Sequence, residues 1–166
     1  MKGLFARQLF AGFGPSLFTP AGDTPQLFAV QGGPGACKDR TAPKSTLKKG
    51  GVKNGSKGLT VSGTSRDTGC GKAHSATAKG HLKRVYVSIA KVKGKDCSFM
   101  NSKGKFTAKR NCRRPILLAA KGTSNWKFTT KTRLKRGTYR IIARGVDAAG
   151  NKEKPGKGNS VTVHVR

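Results

Sequence analysis

Apolar and polar side chains alternate with a period of two in five stretches of residues 58–166. Leu59 and Val61 alternate in GLTVSG (58–63), and Val85, Val87 and Ile89 in LKRVYVSIAKV (82–92), with Tyr86, Ser88 and Ala90 on the opposite face. Trp126 and Phe128 share a face of NWKFTT (125–130). Tyr139, Ile141 and Ala143 do so in GTYRIIARG (137–145), and Val161, Val163 and Val165 in SVTVHVR (160–166). This period places every second side chain on one face of an extended strand, so each stretch predicts a half-buried β-strand. Glycine-rich segments (KNGSKG, KVKGKD, NSKGK and EKPGKGN) separate them as turns. No helical periodicity competes with this pattern.

A short leading strand near Ser45–Leu47 and another near Phe106 bring the expected total to seven. Seven short strands with frequent turns suit an all-β, immunoglobulin-like sandwich of roughly 100 residues, here assigned to residues 37–166. Tyr139 follows a Gly-containing turn at the start of the penultimate strand. There a tyrosine corner is expected, its hydroxyl bonding back to the upstream backbone. Trp126 supplies a large core residue.

Residues 1–36 differ in kind. Leu-Phe pairs recur at Leu4-Phe5, Leu9-Phe10, Leu17-Phe18 and Leu27-Phe28, with Gly and Pro between them. Their spacing fits neither a helix nor a strand, and a charged, solvated tail would be poor in aromatics. The segment reads as an extended N-terminal arm whose Leu-Phe pairs dock on a protein partner or a neighbouring copy. The alternatives are an arm that folds back on its own domain and one that packs nowhere.

Charge changes the picture next. The chain carries 35 Lys and Arg against 6 Asp and Glu, a formal charge of +29. Between Cys97 and Val146 there are 14 cations and no acid. That density favours a polyanion, either polysaccharide or nucleic-acid backbone; the competing reading is a lysine-rich solvated face. The cations that crowd the cysteine hairpin and the later loop are the candidates: Lys103, Lys105, Lys109, Arg110, Arg113, Arg114, Lys131, Arg133, Lys135 and Arg136. Base-specific reading is not expected, because the stacking aromatics that single-strand binding needs lie in the arm or in core positions.

Four cysteines, Cys37, Cys70, Cys97 and Cys112, suggest two disulfides and an oxidising environment; three pairings are open. Arg7, Gln8, Gly12 and Pro15 interrupt the start, so no convincing signal peptide is read, and no stretch approaches a membrane span. The expected location is extracellular, at a cell surface or on a virion.

The segments DRTAP (39–43), VSGTSRDTG (61–69), VYVSIAK (85–91), CSFMNSKGKF (97–106), NCRRP (111–115), GTSNW (122–126) and GTYRIIARGVDAAGNKE (137–153) resemble bacterial extracellular Ig-like domains. Such domains are common in large actinobacterial surface and secreted proteins. The resemblance spans residues 39–166 and implies a spacer, adhesion or accessory module without catalysis. This chain is shorter and more basic than the family's usual setting, and the arm is unmatched.

In the seven-strand topology the first strand begins, and the second and sixth end, at one pole. Asp39, Asp67 and Asp147 then approach one another, and with Asn151 they form a candidate calcium site, since calcium takes several oxygen ligands. The alternative, that Asp and Asn cap their own turns, is favoured. Cys37 and Cys70 are expected to meet at the same pole. Cys97 and Cys112 would bridge their hairpin, closing a loop of roughly 15 residues with about 3 kcal/mol of stabilisation. Zinc at Cys70, His74 and His81 lacks the paired short spacings of a structural site. No nucleophile accompanies His74, His81 or His164, so neither an enzyme nor a small-molecule substrate is expected. The reading is a non-catalytic, arm-tethered subunit of an extracellular assembly, either a cell-surface filament or a virion decoration. Its alternatives are a free polyanion-binding module and a fragment of a large secreted adhesion protein.

Overall fold

The computed structural model describes residues 38–69 and 81–166. The Leu-Phe arm and its eight docking residues, together with Cys37, Cys70 and His74, lie outside the described residues.

Among the described residues nine antiparallel strands form two sheets that pack as a sandwich. The smaller sheet has the order β1 (Lys44–Gly55), β2 (Gly58–Arg66), β7 (Asn125–Thr130). The larger runs β5 (Arg110–Asn111), β4 (Asp96–Phe99), β3 (Leu82–Lys93), β8 (Gly137–Asp147), β9 (Ser160–Val165), with β6 (Leu118–Ala119) also paired to β3. The five alternating stretches became β2, β3, β7, β8 and β9, and each placed its alternating set toward the core. Leu59, Val61 and Trp126 of the small sheet face Val85, Val87, Ile89, Tyr139, Ile141 and Ala143 of the large one, with Met100, Leu118 and Leu134 filling between. Withdrawing such side chains from water contributes about 1.5–3 kcal/mol for each large aliphatic residue. Gly63 makes room for Trp126, since any side chain there would collide with the indole ring and with the Thr46 carbonyl.

The strand count corrects the expected seven to nine among the described residues. The leading strand is far longer than Ser45–Leu47, because residues 48–51 (KKGG) bulge out and let the ladder resume, with Leu47 opposite Gly63 and Val52 opposite Val61. The strand expected near Phe106 shrinks to a single bridge with Met100. The chain turns back there too tightly for a ladder: the Asn101 amide N–H donates to the Lys105 carbonyl (2.8 Å), and the Asn101 side chain accepts from the amides of Lys103 and Lys105. The short strands β4, β5 and β6 have no alternation long enough to be read in advance.

The Tyr139 corner is present. Its hydroxyl donates to the Lys135 carbonyl at 2.8 Å, with the residue 1% exposed. Burial pushes its phenol up from the ordinary value, while the hydrogen bond to the Lys135 backbone acts in the opposite direction. Phe106 tilts against the same ring at 5.8 Å.

The large sheet is covered on its outer face as well. Ala90, Cys97 and Phe99 make a second small core with Val92, Cys112 and Ile116 around it. The Cys97–Cys112 disulfide closes this layer as expected, with Cα atoms 5.0 Å apart. No helix among the described residues is long and apolar enough to cross a membrane.

Candidate functional site

The described acids are distributed unevenly between the two ends of the sandwich. At the first, Asp39 precedes β1, Asp67 follows β2 and Asp147 ends β8. One carboxylate oxygen from each lies within 4.8 Å of the other two. Asp147 is fully buried. Its two oxygens accept from Asn151, Oδ1 from the backbone amide (2.7 Å) and Oδ2 from the side-chain amide (2.8 Å). The Asn151 side chain also donates to the Asp39 carbonyl at 3.1 Å. The Asp39 and Asp67 side chains each accept from the backbone two residues on, at Thr41 and Gly69. These are turn-capping bonds.

The topology thus brings together all four residues predicted at this pole, but with different roles. The oxygen spread is one that a calcium ion with ligands at about 2.3–2.6 Å could span, so the three carboxylates fit such an ion. The Asn151 side-chain nitrogen faces three acceptors, Asp147 Oδ2 and the carbonyls of Asp39 and Thr41, so in this arrangement it ties the pole together as a donor. Crowding has an electrostatic effect too. Burial raises the Asp67 carboxyl above its ordinary value; the Asp39 and Asp147 charges add to that, while the Gly69 amide and His81 oppose it. Asp67 Oδ2 is buried and has no hydrogen-bond partner.

Of the three residues weighed for zinc and set aside, only His81 lies among the described residues. It is exposed, and its carbonyl accepts from Ala148. Among the described residues the aspartate trio is the one group of three or more metal-ligating side chains. His164 is exposed on β9, with its Nδ1 3.1 Å from the Thr138 hydroxyl.

A fourth carboxylate, Glu153, has a role that the sequence did not signal. Glu153 is 9% exposed, and its two oxygens accept from the amides of Ser45 (2.7 Å) and Gly145 (3.0 Å). It thereby ties β1 to β8. Its neighbours Lys152, Lys154 and Pro155 look like a solvated loop, so nothing local in the sequence announced this role.

The other end is basic. Asp147 pairs with Leu82 at one end of β3, and Val92 pairs with Cys97 near the other. Ten residues of strand separate these points, roughly 33 Å at the usual rise per residue. All ten cations named from the sequence are exposed. Lys103 and Lys105 sit in the turn after β4, and Lys109 to Arg114 frame the disulfide. Lys131, Arg133, Lys135 and Arg136 lie in the β7–β8 connection. The Thr132 hydroxyl donates to the Gly104 carbonyl at 3.0 Å, joining two basic segments that are 28 residues apart in sequence. Gly104 must be glycine there: its φ is +75°, and a Cβ would strike the Thr132 side chain.

Beside the disulfide lies a concavity of about 470 Å³, lined by Val92, Gly94, Lys95, Cys97, Asn111, Cys112, Arg113 and Arg140. Of these cations only Arg113 was picked out from the sequence. Lys95 was readable as part of the KVKGKD turn. Arg140 was readable as the outward position between Tyr139 and Ile141.

No family model, curated protein or solved structure matches the chain.

Proposed function

We propose that the chain is a non-catalytic extracellular module with an immunoglobulin-like sandwich, and that its basic end holds an anionic polymer. The observation that carries this reading is the segregation of the acids along β3, which leaves the cations of the far end almost uncompensated. Of the five acids among the described residues, Asp39, Asp67 and Asp147 gather at one end and Glu153 is buried, leaving Asp96 alone among the exposed cations of the other. The Thr132–Gly104 bond unites two basic loops into one surface. Cations held side by side in this way repel one another, and an anionic polymer relieves that repulsion while releasing its own counterions. The disulfide accords with an oxidising location. Calcium enters this reading only as a weakly held ion neutralising Asp39, Asp67 and Asp147.

The Leu-Phe pairs favour a second element of the same reading. The arm tethers the module to an assembly, a cell-surface filament or a virus particle.

The test is binding of dextran sulfate to the full chain between about 50 and 200 mM salt. A log–log slope of several units is expected, as for a surface that neutralises several anionic groups. A flat response overturns the polyanion reading. Sedimentation velocity of the full chain and of one beginning at Gly35 tests the tether. Large species only with the arm support it, and identical monomers dismiss it.

A further inference from the structure

We infer that the concavity beside the Cys97–Cys112 disulfide is a specific site for a sugar unit carrying a sulfate or phosphate ester. This rests on the polyanion reading and narrows it to one place and one ligand chemistry.

Three cations from three separate elements converge on this concavity. Lys95 comes from the β3–β4 turn, where Gly94 at φ +62° lets the chain reverse. Arg113 follows β5. Its amide donates to Asn111 Oδ1 at 2.8 Å, and the Arg114 amide donates to the Asn111 carbonyl at 3.1 Å, so the loop is pinned by its own hydrogen bonds. Arg140 projects from the outer face of β8, opposite Ala90 in the ladder. The disulfide holds β4 and the segment after β5 together beneath them.

No carboxylate lines the concavity. Asp96, next to Lys95 and paired in register with Asn111, is not among the lining residues. Three like charges around one hollow repel each other when it holds only water. Two guanidinium groups offer planar forks that match a tetrahedral oxyanion, and Lys95 adds a point charge. Arg133, Lys135 and Arg136, by contrast, are exposed without lining this hollow, and they suit the unspecific part of the binding.

The lining and size decide what carries the oxyanion. Val92 and the disulfide cysteines supply the apolar part of the lining, which holds no aromatic ring on which a base could stack. The volume of about 470 Å³ lies within the range of roughly 300–1,000 Å³ that small ligands occupy. A saccharide unit places its ring on the apolar part of the lining and its ester toward the cations. A nucleic acid would offer its phosphates here but leave its bases without partners.

The decisive experiment is calorimetric titration of the full chain, at physiological salt, with a sulfated tetrasaccharide, a phosphorylated tetrasaccharide, the uncharged parent sugar and a 12-nucleotide single-stranded DNA. It compares Arg113→Ser/Arg140→Ser with Arg133→Ser/Lys135→Ser, two variants that lose the same charge from exposed positions. The pocket variant is expected to lose affinity for a charged tetrasaccharide by on the order of 30-fold, and the control by about threefold. The uncharged sugar is expected not to bind. The better of the two charged sugars identifies the ester. A third variant, Arg113→Lys/Arg140→Lys, keeps the charge but removes the planar forks. It is expected to lose the tetrasaccharide by on the order of 10-fold or more while its affinity for dextran sulfate, which follows net charge, falls by no more than about threefold. Equal losses in the pocket and control variants overturn the site and leave the polyanion reading standing. DNA binding that is tighter than sugar binding and lost in the pocket variant overturns the sugar assignment. Failure of every anion, dextran sulfate included, overturns the polyanion reading itself.

Discussion

The two ends of the sandwich pose the same electrostatic problem with opposite signs and solve it differently. At the acidic pole, like charges are drawn together and satisfied in large part from within: Asn151 grips Asp147, and Asp39 and Asp67 each cap their own turn, with Asp67 Oδ2 left without a partner. At the basic end, like charges stay exposed on loops fixed by a disulfide and by the Asn101 and Asn111 side chains. Buried charge with internal partners serves the fold, because leaving it unpaired would cost several kcal/mol. Exposed charge on a rigid frame costs the fold little and remains available to a ligand.

Breaking the disulfide tests the rigid frame and has the largest expected effect. Replacing Cys97 and Cys112 together by Ala removes a 15-residue cross-link and a buried sulfur from the second core. A loss of about 3 kcal/mol is expected in denaturant unfolding. The Asn151 amide resonance at the far pole should hold its place in native solvent. Movement of that resonance would mean that the two ends are not independent.

Asp147→Ala attacks the other end. It strands the Asn151 backbone and side-chain amides, which both donate to the missing carboxylate, and about 2 kcal/mol of stability should go with it. Affinity for dextran sulfate should stay within about twofold of native, since the basic end keeps its geometry. A parallel loss of binding would show that the pole supports the far loops and that the division of labour drawn here is wrong.

The smallest effect sharpens the comparison most. The Asp67 carboxyl is raised, first by burial and then by its two acidic neighbours. The folded chain therefore keeps this proton to a higher pH than the unfolded chain does. The associated stability is complete below the ordinary carboxyl value of 3.8 and is lost as pH rises through the folded value. Asp67→Asn leaves an acceptor for the Gly69 amide and removes the charge. It should raise Tm at pH 7 by on the order of 2 °C and flatten the pH dependence in the weakly acidic range. Millimolar calcium should give the native chain a similar small rise and the variant none, as for a weak extracellular-type site. A large rise that saturates at micromolar calcium would instead make the pole a true ion centre.

Much of the fold was legible because strand alternation is a local signal. Val85, Val87 and Ile89 point one way for reasons contained in their own strand, and Tyr139 after its glycine turn marked both a strand start and a hydroxyl bond. The same locality explains the failures. Strands β4, β5 and β6 have two to four residues each, too few to show a period, and they exist because pairing with β3, or with β4 in the case of β5, holds them there. The bulge at residues 48–51 hid the length of β1, since its four polar and glycine residues resemble a loop.

The sequence by itself determined that the chain is β-rich, where its main strands and core faces lie, and that its charge is strongly positive and uneven. Topology reasoning carried Asp39, Asp67 and Asp147 to a shared pole before any coordinates. Only the tertiary structure decided what those residues do there. Whether an amide donates or a carboxylate is capped depends on atoms brought together from 4 to 112 residues apart. Only it could place Glu153 between β1 and β8, or assemble Lys95, Arg113 and Arg140 around one hollow. Periodicity records how each strand meets the core. The convergence of side chains from separate strands is set by register, turn geometry and a disulfide, and no single segment of sequence carries all three.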